Sequence, residues 1–174
     1  MDYLYSSPVG TLLIRCCDNF LSGISIITET SGISDMACPD IAEKETDKYP
    51  HIVKETCQWL DCYFSGNIPP NVPPVKLEGT TFQKQVWNIL LSIPYGATTT
   101  YKDIATEIAS AMKRKSMSAQ AVGQAVGHNP IGIIIPCHRV IGSDGSLTGY
   151  AWGTDKKKWL LQHEAQTLAS KKCF

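Results

Sequence analysis

The sequence predicts a mixed α/β protein, with a small β-meander domain followed by a helical domain. Apolar and polar residues alternate between turn signals in the first 28 residues, as in antiparallel strands. Four prolines then fall within residues 67–74, which excludes a helix or a central strand there. Beyond residue 80, apolar residues recur at helical spacing behind Ser and Thr caps. These patterns favour two domains joined by a proline-rich linker.

The first domain, residues 1–66, contains the predicted meander and one long helix. Strands are expected at 3–5, 11–15 and 21–28, and helices near 41–48 and at 51–64. Gly66 ends the long helix. Residues 67–79 then form a stiff linker.

The second domain, residues 80–174, is predicted to hold four helices, at 81–92, 101–112, 119–127 and 155–164. Thr100 and Asp103 form a capping box at the start of the second of these, and Ser118 caps the third. The third helix consists almost entirely of small residues and is followed by a predicted strand and hairpin, with a turn at 142–145. Two helices joined by a basic loop in this context indicate a winged helix-turn-helix.

The net charge of zero hides an asymmetry between the two halves of the chain. Residues 1–79 carry 5 Lys and Arg against 11 Asp and Glu, whereas residues 80–174 carry 11 against 5. A polyanion is therefore attracted to the second half alone, which indicates nucleic-acid contact there. Chance unevenness on a solvated surface is the alternative reading of charge alone.

Several classes of protein are excluded by composition. No run of about 18 apolar residues exists, so no membrane contact by a spanning helix is expected. Asp2 stands where a secretory signal needs positive charge, and a cytoplasmic protein is expected. The seven cysteines include no Cys-x-x-Cys pair, which argues against a disulfide framework or a structural zinc site. No metal and no cofactor is predicted.

The most informative stretch is Ile-Ile-Ile-Pro-Cys-His-Arg-Val-Ile at residues 133–141. The apolar run predicts a buried strand that Pro136 ends, because proline has no N–H to donate. Cys137 and His138 follow directly, and a thiol becomes a strong nucleophile as a thiolate beside an imidazole. On this window alone, a buried structural cysteine is an equally good reading.

Other motifs lie in a fixed order around this stretch: Tyr101, Ala121-Val-Gly123, Asn129-Pro130, Pro136-Cys-His-Arg-Val140, Leu147-x-Gly-Tyr150 and Trp159-Leu-Leu-x-x-Glu164. Together they resemble the O6-alkylguanine-DNA alkyltransferases, which repair DNA by direct reversal. The resemblance covers about residues 82–164. It implies an RNase H-like first domain and a winged helix-turn-helix in the second.

The resemblance also implies a reaction. Cys137 attacks the alkyl carbon on guanine O6 and keeps the alkyl group as a thioether, so one molecule repairs one lesion. His138 acts through a water as the base, and Glu164 orients the imidazole. Asn129 locks the turn around the cysteine, and Tyr101 donates to the guanine ring. Alkyl transfer from O4 of thymine is left open.

A guanine pocket follows from the same resemblance. The carbonyls of Cys137 and Val140 accept from the exocyclic amine, and the Ala151 N–H reaches O6. Side chains that line the pocket are those of Val126, Tyr150 and Trp152. An indole at Trp152, where some relatives carry glycine, is expected to narrow the pocket against bulky adducts.

The implied partner is double-stranded DNA carrying O6-alkylguanine, approached from the minor groove with the base flipped out by a monomeric protein. The expected DNA contacts are Lys113, Arg114, Lys115, Gln120, Ala121, Gln124 and Arg139. Gln120 stands where relatives carry an arginine that fills the gap left by the base. The basic loop 113–115 is expected to supply compensating attraction to phosphates.

Two other functions compete with the alkyl-accepting enzyme. A non-catalytic lesion-binding relative lacks the acceptor cysteine, so the presence of Cys137 favours chemistry. A winged-helix regulator reads base edges with long polar side chains in the major groove, whereas residues 119–127 offer chiefly Gln120 and Gln124 among small residues.

Overall fold

The computed structural model describes residues 1–27 and 49–171. The helix predicted near 41–48, the last residue of the third predicted strand, and Cys38 and Cys173 lie outside these ranges. The chain divides into two compact units, Met1–Leu77 and Glu78–Phe174. The division falls within the stretch 67–79 that the sequence marks as a linker. None of the described helices is long and apolar enough to cross a membrane.

The architecture is mixed α/β, with five α-helices and a small antiparallel sheet among the described residues. The first unit contains β1 (Asp2–Ser7), β2 (Gly10–Cys17), β3 (Phe20–Ile26) and α1 (His51–Phe64). The second unit contains α2 (Thr81–Ser92), β4 (Thr99–Thr100), α3 (Tyr101–Ala111), α4 (Ala119–Gly127), β5 (Val140–Ile141) and α5 (Thr154–Lys171). A short 3-10 helix, Cys137–Arg139, precedes β5.

In the first unit, β2 lies between β1 and β3 in the antiparallel meander that the sequence predicts. Helix α1 ends as expected at Gly66, whose φ of +76° is readily adopted by glycine. The Asn67 N–H donates to the Cys62 carbonyl and the Gly66 N–H to the Tyr63 carbonyl, which closes the helix end. Val75 bridges to Leu21, so this part of the stretch 67–79 is hydrogen-bonded within the first unit.

Caps set the starts of the helices in the second unit. Thr80 and Gln83 form a capping box on α2, and Thr100 and Asp103 form the predicted one on α3. The Ser118 hydroxyl accepts from the third residue of α4. These contacts confirm the predicted starts at 81, 101 and 119.

Two elements of the second unit differ from the prediction. Helix α5 continues to Lys171 instead of ending at Glu164, because the apolar spacing goes on through the buried Thr167 and no glycine or proline intervenes. In the described chain after α4, no hairpin forms: β5 pairs parallel with β4 over two residues. The predicted turn at 142–145 is present, closed by the Gly142 N–H donating to the Ser146 carbonyl.

Helices α2, α3 and α4 pack around a buried apolar core that fixes the position of α4. The indole N–H of Trp87 on α2 donates to the Ala125 carbonyl at 2.9 Å. Val122 and Ala125 lie on the buried face of α4, whereas Gln120 and Gln124 are exposed on its other face. The helix therefore offers a surface of small residues and two glutamines to solvent.

Candidate active site

The turn of residues 129–140, here called the acceptor turn, carries the cysteine and is organised by Asn129. Its side-chain amide donates to the Ile135 carbonyl at 2.8 Å and to the Cys137 Sγ at 3.0 Å. Its side-chain oxygen accepts from the Ile131 N–H at 3.0 Å. One side chain therefore holds both ends of the turn and the thiol, as predicted for Asn129.

The prediction of a buried strand at 133–135 is wrong. These residues are fully or almost fully buried, but they form a tight turn in which Ile133 has a φ of +68°. The Ile135 N–H donates to the Ile131 carbonyl instead of to a neighbouring strand. The contacts of Asn129 replace a sheet ladder, so the apolar run is buried without sheet pairing. Pro136 then starts the 3-10 helix that presents Cys137.

Cys137 is buried, with 7% of its surface exposed. Burial raises the pKa of its thiol above the ordinary value, because the thiolate loses its hydration. The hydrogen bond from Asn129 and the positive charge of Lys157 act in the opposite direction. The resting state is therefore a thiol that is poised beside groups able to stabilise its anion.

His138 and Glu164 form a fully buried pair, with 2.7 Å between Nε2 and Oε1. Burial works against ionisation of Glu164, but hydrogen bonds and charges from His138 and Arg139 outweigh it and lower the carboxyl pKa to about 2. Burial lowers the pKa of His138, although Glu164 opposes this. A neutral imidazole beside a carboxylate must donate from Nε2. Its Nδ1 is then a proton acceptor, and this buried atom has no hydrogen-bond partner among the described residues.

Arg139 was predicted to contact DNA, and the structure corrects this. Only 7% of the residue is exposed. In its guanidinium, Nε and Nη2 donate to the Glu164 carboxylate at 2.9 and 3.0 Å, and Nη1 donates to the Ile93 carbonyl at 2.6 Å. The buried carboxylate of Glu164 neutralises the positive charge of Arg139. Its role is to fasten the acceptor turn to α5.

Lys157 on α5 is a site residue that sequence reasoning missed. Its Nζ donates to the Thr148 carbonyl at 2.9 Å, and the Tyr101 hydroxyl donates to the same carbonyl at 3.0 Å. The Nζ also lies 5.8 Å from the centroid of the Tyr101 ring. Burial lowers the pKa of this ammonium, while nearby Cys137 raises it. The spacing 157, 160, 164 would have placed it on the buried face of α5 with Leu160 and Glu164.

The predicted pocket side chains come together beside the acceptor turn. The rings of Tyr150 and Trp152 meet edge to face at 5.7 Å, and Trp152 covers Gly132 so closely that a Cβ there would collide with the indole. The Tyr150 hydroxyl is buried without a partner among the described residues, and burial raises its pKa well above the ordinary value. Val126 and Val140 are buried, whereas Ala151 is exposed.

A cavity of about 540 Å³ opens between the face of α4 and the loop after β5. Its lining includes Tyr101, Lys102, Ala119, Gln120, Gly123, Gln124, Ser143, Thr148 and Gly149. Gly149 has a φ of +75°, and a Cβ there would lie 2.7 Å from the Tyr101 hydroxyl. The cavity therefore joins two predicted DNA contacts on α4 to the predicted base-binding tyrosine. Lys113, Arg114 and Lys115 are exposed, and Ala121 is partly exposed.

The other cysteines and histidines within residues 1–27 and 49–171 offer no comparable site. Cys16 and Cys57 are buried as packing residues, whereas Cys17 is exposed. His51 is exposed and pairs with Glu55 at 3.7 Å. Within the described ranges, no three side chains of His, Cys, Asp or Glu cluster as a metal site would require.

Several known proteins are similar to this chain in sequence. A family model described as "6-O-methylguanine DNA methyltransferase, DNA binding domain" matches residues 81–166. The methylated-DNA–protein-cysteine methyltransferase of Methanosarcina barkeri is 51% identical, over 95% of this chain and 97% of that protein. The protein of the same name from Mycobacterium tuberculosis is 38% identical, over 91% of this chain and 88% of that protein.

Solved structures are similar over the same length. Mycobacterium tuberculosis OGT in complex with DNA has a TM-score of 0.76 and 37% identity, covering 95% of this chain and 93% of that one. An O6-methylguanine DNA methyltransferase from Methanococcus jannaschii has a TM-score of 0.63 and 28% identity, covering 92% of each chain. The similarity therefore extends over both units of the chain.

Proposed function

This chain belongs to the methylated-DNA–protein-cysteine methyltransferase family, and we propose that Cys137 is the cysteine to which it transfers the alkyl group. The protein binds DNA and repairs it by direct alkyl transfer from the damaged base to itself. The observation that carries the assignment to Cys137 is its place beside a buried His138–Glu164 pair whose second ring nitrogen is free to accept a proton. By contrast, burial raises the thiol pKa of Cys16 to about 11, and no histidine is among the described groups that act on that thiol.

Proton transfer would begin at the thiol. Glu164 is ionised and holds the Nε2 proton of His138, so Nδ1 takes the proton of Cys137 through one bridging water. The imidazolium that forms is stabilised by the carboxylate 2.7 Å away. Because burial disfavours both the thiolate and the imidazolium, the charged pair is expected to form only as the alkyl carbon is attacked.

The transfer itself balances without any co-reactant. The thiolate sulfur forms a bond to the alkyl carbon, the bond from that carbon to guanine O6 breaks, and the electron pair stays on the base. The base takes up one proton, which balances the proton that the thiol gave to His138, and it remains in the DNA as guanine. The thioether that remains on Cys137 has no path back to the thiol, so each molecule acts once.

Recognition of the base would require Tyr101 to change partners. Its hydroxyl donates to the Thr148 carbonyl in the free protein, and it would turn to the guanine ring when the base enters. Lys157 donates to the same carbonyl and would keep it satisfied after the exchange. Lys157 is therefore proposed as a positioning residue for the loop that carries the pocket.

The other pocket assignments are part of the same proposal. The Ala151 N–H would donate to O6, and the carbonyls of Cys137 and Val140 would accept from the exocyclic amine. Val126, Tyr150 and Trp152 would enclose the base, with the ring of Trp152 limiting the size of the alkyl group.

The proposed ligand is double-stranded DNA with O6-alkylguanine flipped from the minor groove into the pocket by a monomer. Helices α3 and α4 would act as a helix-turn-helix, with the loop after β5, which forms no hairpin, in the place of a wing. An RNase H-like first unit is part of the same proposal. Gln120, Ala121 and Gln124 would face the groove, where small residues allow close approach. Lys113, Arg114 and Lys115 would face phosphates.

Gln120 is expected to fill the gap left by the flipped base less well than the arginine of relatives. Gln120→Arg should therefore speed repair of a methylated duplex. It should also make binding depend more steeply on salt, because a cation would be added at the groove. Single-turnover rates measured across a salt series test this. Equal rates and equal salt dependence in both proteins would remove the idea.

The experiment that tests the assignment of Cys137 is mass spectrometry after incubation with an O6-methylguanine duplex. The intact protein should gain one methylene unit, and peptide mapping should place it on Cys137. Cys137→Ser should gain nothing while still binding the duplex. A methyl group found on another cysteine, or transfer that persists in the serine variant, would overturn the assignment.

A further inference from the structure

We propose that the loop between α3 and α4 forms a separate phosphate-binding pocket, which holds the DNA backbone beside the lesion. The proposal deepens the DNA binding described above and depends on it. It assigns a site that is distinct from the base pocket and that includes Lys102, a residue of α3 with no role in the chemistry.

The pocket is a cavity of about 390 Å³ between the outer face of α3 and the loop of residues 112–118, here called the basic loop. Residues that give it chemical character are Lys102, Thr106 and Ser110 from α3, and Arg114, Lys115 and Ser116 from the basic loop. None of the described residues lining it is acidic. The Thr106 hydroxyl already donates to the Lys102 carbonyl at 3.0 Å. The three cations and the hydroxyls of Ser110 and Ser116 form a set of donors that suits a phosphate.

The conformation of the basic loop is fixed at both ends. At the end of α3, the Lys113 N–H donates to the Ser110 carbonyl and the Arg114 N–H to the Ala109 carbonyl, which turns the chain back over the helix. At the start of α4, the Ser118 hydroxyl accepts from the Ala121 N–H. The backbone of Arg114 is therefore held against the end of α3, and the loop does not extend freely into solvent.

The first residue of α4 adds to the positive character of the pocket. Ala119 lines the cavity, so the amide end of a nine-residue helix is directed to the same region as the three cations. Partial positive charge at a helix start favours an anion there. The helix end supplements the side chains and would not define a site without them.

The position of the pocket identifies which phosphate it would hold. Lys102 and Ala119 line both this cavity and the 540 Å³ cavity that leads to Tyr101. A strand whose base enters the larger cavity must carry its neighbouring backbone past these two residues. The pocket is therefore placed for a phosphate within a few nucleotides of the flipped base.

The pocket would also supply positive charge that the exposed face of α4 lacks. The exposed face of α4 presents Gln120 and Gln124, which carry no charge to offset phosphates. Lys102, Arg114 and Lys115 would supply that attraction from the side of the helix-turn-helix. Binding would then depend on a localised backbone contact as well as on insertion of α4.

The test is a scan in which single phosphates of an O6-methylguanine duplex are replaced by neutral methylphosphonates, one position at a time. Wild-type binding should weaken several-fold at one position, or at two adjacent positions, close to the lesion. The Arg114→Gln/Lys115→Gln variant should show no further loss at that position. Its dependence of log K on log salt should be shallower than that of the wild type by about 1 to 2.

Two matched variants sharpen the result. Lys113→Gln removes one charge from the same loop at a residue that does not line the cavity, and it should retain the position-specific loss. Lys84→Gln removes an exposed charge on α2 and should leave the scan unchanged. The single variants Arg114→Gln and Lys115→Gln are measured as well, so the coupling is still measurable if the double variant is poorly folded.

The outcomes separate this proposal from the assignment of Cys137. Reaction with free O6-benzylguanine, which has no backbone, reports on Cys137 alone, and Lys84→Gln should keep the wild-type rate in it. Wild-type protein that transfers the methyl group but shows no phosphate position coupled to Arg114 or Lys115 would overturn the pocket alone. Failure of the wild-type protein to transfer the methyl group to Cys137 would instead overturn the proposed acceptor.

Discussion

The acceptor turn and the basic loop are both irregular segments next to α4, yet they are built in opposite ways. All residues from 131 to 140 in the turn are buried, and Asn129 and Glu164 hold them in place. Residues 113–116 of the loop are exposed and three of them are cationic. A reaction at a sulfur atom requires the reacting groups to be held in fixed positions, which burial provides. Attraction of a polyanion requires accessible positive charge instead. Substitutions in the turn should therefore change stability and reactivity, and those in the loop should change salt dependence.

The largest effect is expected for Glu164→Gln. The variant leaves the buried cation of Arg139 without its carboxylate, and breaking a buried pair in this way costs about 3–5 kcal/mol of unfolding free energy. Urea unfolding measures the change. Glu107→Gln removes an exposed carboxylate from α3 and should stay within about 0.5 kcal/mol of the wild type. Equal losses in both variants would contradict the distinction between buried and exposed charge.

Asn129→Ala should be the next most damaging change. It leaves the Ile131 N–H and the Ile135 carbonyl without their partners in a buried turn, at a cost of about 2–3 kcal/mol. It also removes the hydrogen bond that lowers the pKa of the Cys137 thiol. Rates of iodoacetamide labelling against pH should shift to higher pH, and an unchanged profile would show that this contact does not support the thiolate.

The acceptor turn should also make stability depend on pH. The Glu164 pKa is about 2 in the folded protein against an ordinary 4.5, so its contribution is complete above pH 4.5 and is lost as pH falls toward 2. The His138 pKa is lowered from 6.5, so the unfolded chain takes up that proton first. His138 therefore reduces stability as pH falls below about 6.5, and Glu164 adds to the loss below pH 4.5. Thermal unfolding across this range measures the decline, and Glu164→Gln should lose its part below pH 4.5.

Pocket size should respond to Trp152 and to the glycine beneath it. Trp152→Gly should raise the rate of inactivation by O6-benzylguanine about tenfold, with little change for O6-methylguanine. Gly132→Ala should have a similar effect, because its Cβ would displace the indole. Equal benzylguanine rates in the parent and both variants would refute the idea that this ring limits the alkyl group.

The smallest effect is expected in the basic loop, where a single substitution should raise stability and also weaken DNA binding. Lys113 has a φ of +54°, which costs free energy for any residue with a Cβ. Lys113→Gly should raise unfolding free energy by about 0.5–1 kcal/mol while the loss of a charge weakens DNA binding. Lys113→Gln, which loses the charge and keeps the strain, should weaken binding without gaining stability.

Elements set by local chemistry were predictable from the sequence. The limits of α1, α2 and α4 and the capping box at Thr100 follow from side chains within a few residues, and the structure confirms them. The pairing of His138 with Glu164 came from the resemblance to the alkyltransferases, and its geometry is present. Contacts between neighbours in sequence, or motifs that recur in a family, are sufficient for such predictions.

Other features depend on long-range contacts and were missed. The run at 133–135 has the composition of a strand, but the side chain of Asn129 replaces the ladder bonds that a strand would need. Arg139 and Lys157 are charged residues that single-sequence reasoning places on the surface. They are buried because Glu164 and the Thr148 carbonyl provide partners that only the fold brings close.

The contact between Asn129 and the sulfur of Cys137 implies that alkylation of this cysteine permanently lowers the stability of the protein. The amide donates to Sγ at 3.0 Å in a place where little of the residue is exposed. An added methyl group must occupy space in that packed turn, and crowding of this kind commonly costs about 1–3 kcal/mol. A molecule alkylated at Cys137 would therefore have a lower free energy of unfolding than an unmodified one. An unfolding measurement would then distinguish the copies that have reacted from those that have not.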